Sequence, residues 1–217
     1  MQHISTRRWV LVTLTAATMA STLGGCVPLV VGGAVMTGMV ATDRRTSGAQ
    51  LDDEGIEVRI VNRLHEAFGD RVHVNATSYN RQVLLTGEVG SAYDKQRVEQ
   101  IVSRVDNVRT VVNELALIGG SSFTQRSGDS VITGRVKAAL LDAPDISGNA
   151  FKVVTERGAV YLMGRVTKRE AERATEVVRG VGGVQKVVRV FEIISEAELQ
   201  RIQTDNAPQP ASTGPRS

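Results

Sequence analysis

The chain predicts an α+β fold: two tandem α-β-β-α-β domains, each a three-stranded mixed sheet with two helices on one face. Three observations predict it. An internal duplication runs along the chain at an offset of 76 or 77 residues. Each copy passes from helical spacing of apolar residues to strict alternation and back. Turn-forming residues stand at the switch points of both copies.

Three blocks carry the duplication, in the same order. Ile56-Glu57-Val58-Arg59-Ile60 aligns with Ile132-Thr133-Gly134-Arg135-Val136. Val83-Leu84-Leu85-Thr86-Gly87-Glu88-Val89 aligns with Val160-Tyr161-Leu162-Met163-Gly164-Arg165-Val166. Val105-Asp106-Asn107-Val108 aligns with Val181-Gly182-Gly183-Val184, and Val111-Val112 with Val187-Val188.

Each copy opens with a helix. Ile56, Ile60 and Leu64, or Ile132, Val136 and Leu140, recur at i, i+4, i+8 and form one buried stripe. A strand follows, with alternating Val72, Val74 and Ala76, or Phe151, Val153 and Thr155. Tyr79-Asn80-Arg81-Gln82 and Glu156-Arg157-Gly158-Ala159 close hairpins. The second strand is Val83–Leu85 or Val160–Leu162. Gly87 and Gly164 end it, where a glycine suits a bulge or a close helix approach. A second helix runs over 92–104 or 168–179, and a last strand over 108–117 or 184–193. Asp106-Asn107 and Gly182-Gly183 make the tight turns into that strand.

The predicted organisation is a signal peptide over 1–25, an acylated N-terminus and tether over 26–50, a first domain over 51–119, a linker over 120–128, a second domain over 129–195 and a disordered tail over 196–217, in which 196–203 can extend a helix briefly before the Pro-, Gln-, Ser- and Thr-rich stretch from Thr204. Arg7 and Arg8 are the basic start of the signal. Trp9 to Ala20 is an apolar run of signal-peptide rather than membrane-spanning length. Leu23-Gly24-Gly25-Cys26 resembles a bacterial lipobox, and Cys26 is the only cysteine. The resemblance implies cleavage before Cys26 and a covalent lipid anchor on its sulfur. Val27 stands where an aspartate would mark retention in the inner membrane, so the same resemblance implies transfer to the outer membrane.

Removing residues 1–25 deletes Arg7 and Arg8 and leaves 24 basic against 23 acidic side chains. That balance argues against a general nucleic-acid binder. With Cys26 acylated no intramolecular disulfide can form, so burial alone must hold the domains.

The element order, with Val-x-Leu-x-Gly-x-Val over 83–89 and again over 160–166, resembles the BON domain. The turn Val181-Gly182-Gly183-Val184 fits that family too. Together with the lipobox and Ala41-Thr42-Asp43-Arg44-Arg45, the two copies resemble the outer-membrane lipoproteins with dual BON domains. The resemblance implies phospholipid binding and a role in envelope integrity at the division site, on the periplasmic face. The alternative is a tethered adaptor that binds an envelope protein, such as a cell-wall hydrolase regulator or an assembly machine, without recognising lipid.

The copies differ on their surfaces. Residues 52–118 hold 8 basic and 11 acidic side chains; residues 129–195 hold 11 basic and 8 acidic. The first helix of the second copy carries an extra apolar strip opposite its core stripe: Val131, Gly134, Ala138 and Leu141, flanked by Arg135 and Lys137. An apolar strip edged by cations suits a membrane interface. These six residues are the expected contact with anionic phospholipid, and burial against the first domain or the linker around Phe123 is the competing use of the same strip.

No catalytic residues, metal ligands or cofactor are expected. His65 and His73 have no counterparts in the second copy, and no HExxH, CxxC, GxSxG or P-loop spacing occurs.

Overall fold

A computed structural model describes residues 43–117 and 123–205, all within one compact unit, Gly38–Ser217. Cys26, the signal peptide, the first part of the predicted tether, residues 118–122 and the tail from 206 lie outside the described residues. In the first domain α1 is Ser47–Phe68, followed by a 3₁₀ turn, β1 (His73–Tyr79), β2 (Gln82–Val89), α2 (Ala92–Val102), β3 (Thr110–Asn113) and β4 (Ala116–Leu117). In the second, α3 is Phe123–Asp142, followed by a 3₁₀ turn, β5 (Lys152–Glu156), β6 (Ala159–Val166), α4 (Lys168–Arg179) and β7 (Lys186–Ile193); a further helix, α5, spans Glu196–Asp205.

Both sheets are mixed. The hairpin partner of β2 is antiparallel β1, and β3 lies parallel on its other side; β5, β6 and β7 repeat that order. The hairpins turn through two residues of positive φ, Asn80 (50°) with Arg81 (65°), and Arg157 (54°) with Gly158 (74°). That is the type I′ geometry whose twist matches the strands it joins.

The helices cover one face of each sheet. Ile56, Ile60, Leu64 and Phe68 of α1 meet Val83, Leu85 and Val89 of β2, with Val98 and Val102 of α2 beside them. Val136 and Leu140 of α3 meet Val160, Leu162 and Val166 in the second core. The other faces of the two sheets pack on each other. Tyr79 and Leu84 of the first domain join Tyr161, Met163 and Val190 of the second in a separate buried cluster. The described unit is therefore layered helix, sheet, sheet, helix, with three cores in line.

Polar contacts at the two ends of this seam answer one another. The first hairpin's Asn80 donates to Glu192 at 2.5 Å, beside Arg165, which pairs with the same carboxylate at 3.1 Å. The second hairpin's Arg157 approaches Glu88, the counterpart of Arg165 in the duplication, at 3.6 Å.

Four expectations need correction. Residues 47–50, read as tether, are the first turn of α1, capped by Thr46, whose hydroxyl accepts from the Ala49 amide at 3.1 Å. The linker yields in the same way, since α3 begins at Phe123. The tail begins later than the assigned boundary at 196: the brief helix allowed over 196–203 is α5, running to Asp205 and held where Leu199 is buried and Glu198 accepts from Arg165 at 2.7 Å. The last strand of the first domain is broken in two. The Asn113 side chain accepts from the Leu115 amide and donates to the Lys95 carbonyl, drawing the ladder aside while Leu115 turns into the core. Arg189 stands at the matching place in the second domain, and β7 there runs unbroken.

Gly87 and Gly164 do sit at close approaches, Gly87 to the backbone of β1 and Gly164 to the last residue of the 3₁₀ turn before β5 rather than to an α-helix. A Cβ on Gly164 would stand 2.5 Å from the Ala150 carbonyl oxygen.

Candidate functional site

The outer face of α3 is the candidate site. Helical geometry sends Val136 and Leu140 into the core and leaves the opposite side to solvent. Val131 is 54% exposed and Leu141 58%. Gly134, Arg135, Lys137 and Ala138 are exposed between them. All six residues singled out in the sequence therefore share one outward surface. The competing use of the strip, packing against the first domain, falls instead to the open sheet faces.

Arg135 is lightly steadied: its guanidinium donates to the Gly182 carbonyl at 3.4 Å, in the turn before β7. Nothing lies within 4 Å of a Cβ added at Gly134. Gly134→Ala is accordingly expected to stabilise the second domain by about 0.8–1 kcal/mol, the helix-interior difference between the two residues. A thermal melt checks this, and a destabilised variant would show that the face is more crowded than described.

Three features of the frame were not foreseen as contacts in the sequence, although Arg44 and Arg45 stand in the segment that carried the family resemblance. The first is a pair of carboxylates that hold the hairpins. Asp53, 2% exposed on α1, accepts from the Asn80 and Arg81 amides and from the Ser78 hydroxyl, each at 2.7 Å. Asp129 on α3 accepts from the Arg157 and Gly158 amides at 2.7 and 2.8 Å. The signal was present: the two acids stand at the duplication's offset, three residues before Ile56 and Ile132, so helical spacing places them on the buried side.

The second is the strap formed by adjacent arginines. Arg45 pairs with Asp53 at 2.8 Å and lies 4.4 Å above the Tyr79 ring, gripping the first domain. Arg44 reaches into the second domain, donating to both oxygens of Glu170 at 2.7 Å and to the Arg165 carbonyl at 3.0 Å. Glu170 also closes the capping box of α4 with Thr167.

The third is the electrostatic setting of these groups. Burial alone would raise the Glu170 carboxyl, but the Arg44 guanidinium outweighs it and holds the group below its ordinary value. A depressed carboxylate stabilises the fold above its unfolded value, about 4.3, and that contribution disappears as pH falls through the lower folded value. Glu170→Gln should therefore flatten the acid limb of stability below about pH 4.3. Denaturant midpoints measured from pH 6 down to pH 2.5 check this; an acid limb as steep as that of the unaltered protein would refute it. Two seam tyrosines are pushed up to about 12, Tyr79 by burial and then Asp43, Tyr161 by burial and then Glu114. Both stay neutral at physiological pH, as an apolar sheet-to-sheet contact requires.

Among the described residues no helix is long and apolar enough to cross a membrane.

Two small α+β domains of this topology, fused so that their open sheet faces close on each other, define a class. The BON domain family model matches residues 52–119 and 128–195, and the chain belongs to that family, among the dual BON-domain outer-membrane lipoproteins. It is 37% identical over 174 residues to the outer membrane lipoprotein DolP of Haemophilus influenzae, covering 79% of this chain and 90% of that protein. It is 31% identical over 154 residues to a 21 kDa hemolysin of Actinobacillus pleuropneumoniae, covering 70% and 79%. It is 25% identical over 148 residues to osmotically-inducible protein Y of Escherichia coli, covering 64% and 72%.

Proposed function

We propose that this outer-membrane lipoprotein is acylated at Cys26, faces the periplasm and binds anionic phospholipid through the outer face of α3. Its role is envelope integrity at the division site, as a binding protein rather than a catalyst. The observation that carries the reading is the placement of Val131, Gly134, Ala138 and Leu141 on one exposed strip with Arg135 and Lys137 at its edges. A helix of that kind lies in the interface plane, apolar side chains dipping in and cations meeting headgroups. The second domain's excess of basic over acidic residues supports it, and each well-placed cation contributes about 1 kcal/mol at an anionic surface.

Co-sedimentation of residues 38–217 with vesicles tests the site. Phosphatidylglycerol vesicles are expected to pull the protein down and phosphatidylcholine vesicles to leave it in solution. Arg135→Glu with Lys137→Glu should weaken binding by about 30-fold or more, the equivalent of two lost headgroup contacts. Unchanged binding would remove the assignment. The anchor has a separate test: a clickable palmitate analogue should label the intact protein and fail to label Cys26→Ser.

A further inference from the structure

The two ends of the sheet-to-sheet seam differ in charge. At the first hairpin's end guanidinium groups match the acids: Arg165 takes Glu192 and Glu198, and Arg44 takes Glu170. At the second hairpin's end three acids gather round one guanidinium. Glu88 on β2 is 2% exposed, and neither of its oxygens accepts a hydrogen bond from the described residues. Arg157 stands 3.6 Å from it. Half-buried Glu156, one residue earlier in the chain, accepts from the Asn75 side chain of β1 at 3.5 Å. Asp129 on α3 holds the Arg157 amide. Exposed His73 lies opposite Glu88 in the ladder. Glu114, paired with Lys186 at 3.7 Å, lies beside the Tyr161 phenol. The duplication made this end rich in acid by setting Glu88 where the second domain has Arg165.

We infer that this end of the seam is an acid-tightened latch, in which Glu156 takes up a proton in mild acid and releases it toward neutrality. Glu156 belongs to the second domain and Glu88 to the first, so their like charges act across the sheet-to-sheet contact and not within either core. A neutral Glu156 removes one of those charges and brings a hydroxyl donor to the side of Glu88. Burial first, then Glu88 and Asp129, raises the Glu156 carboxyl above its ordinary value; the Asn75 bond and His73 act the other way. An acid raised in this way binds more protons folded than unfolded, so its charge costs stability at neutral pH. That cost disappears as pH falls through the folded value toward the unfolded one, about 4.3. The seam is therefore tighter in mild acid and looser near neutrality, the opposite sense to Glu170. Its opened form bares Tyr79, Leu84, Tyr161 and Met163. The latch lies apart from the outer face of α3 and does not rest on the lipid reading.

A single thiol in the seam reads its opening. Residues 38–217 contain both cores and the seam but not the chain's one cysteine, so Met163→Cys introduces a unique reporter there. Its rate of reaction with a disulfide reagent, compared with that of a short unfolded peptide at the same pH, gives the protection of the seam. Protection should rise about fivefold from about pH 7.5 to about pH 5, the order of one relieved like-charge contact. Glu156→Gln in this background should be as protected at the higher pH as its parent is at the lower, with no further rise. Glu88→Gln should shrink the rise, and His73→Gln should leave it in place. A parent without a rise, a rise that survives Glu156→Gln, or one that vanishes with His73→Gln would overturn the inference. Carboxyl-carbon NMR of unaltered residues 38–217 needs no variant. The Glu156 signal should titrate above the ordinary glutamate value, about 4.3, and titration at or below it would overturn the latch as well.

Discussion

Asp53→Ala is expected to lower the free energy of unfolding by about 3–4 kcal/mol, close to the cost of breaking a buried ion pair. The carboxylate is buried and accepts two turn amides, the Ser78 hydroxyl and the Arg45 guanidinium. Its removal leaves the amides without acceptors in a turn that already holds two non-glycine residues at positive φ. It also takes from Arg45 one of its two carboxylate partners, Asp43 remaining. Asp53→Asn, which keeps the shape and one oxygen, should fall between. Asp129→Ala should cost less, because the second turn contains Gly158, which adopts positive φ without strain, and the Asp129 carboxylate accepts from two turn amides where that of Asp53 also takes a hydroxyl and a guanidinium. Urea unfolding of residues 38–217 orders the three variants. A larger loss for Asp129→Ala than for Asp53→Ala would show that the strap and the strained turn do not act together.

Gly87→Ala should cost about 3–5 kcal/mol, from a steric clash added to backbone strain. A Cβ there would sit 2.1 Å from the His73 carbonyl oxygen, and Gly87 has φ of +109°. The neighbour is backbone in a paired strand, so it yields only by breaking the register of β1 on β2, in which His73 faces Glu88 and Val74 faces Gly87. Gly164→Ala meets the Ala150 carbonyl at 2.5 Å, without the positive φ, and should cost less. Hydrogen exchange provides the local readout. Amides over 73–79 and 82–89 should lose protection in Gly87→Ala while those over 152–166 keep it. Equal loss in both domains would mean that the seam carries the strain from one sheet to the other.

The fold was legible because its signals are local and repeated. Ile56 with Ile60 and Ile132 with Val136 mark helix faces, Val83 with Leu85 and Val160 with Leu162 mark strand faces, and two copies confirm each reading. The breaks were less legible. Nothing near Asn113 in the sequence says that its amide will turn from the ladder to the Lys95 carbonyl, since that contact is made across space. The strap was hidden for the same reason: Arg44 and Glu170 are 126 residues apart, and no periodicity joins them. For the candidate site, spacing alone placed Val131, Arg135, Lys137 and Leu141 on one outward strip. What covers Leu84 and Tyr161 was not legible, because alternating apolar residues mark a sheet face without naming its mate.

The back-to-back seam also bears on loss of half the chain. A product ending after the first domain would keep its helix-covered core, yet leave the Tyr79–Leu84 face wet and Glu88 without Arg157. Such a fragment is less half a working protein than an adhesive one, which quality-control proteases should clear. Nonsense mutations that fall between the two domains should therefore behave like complete deletions.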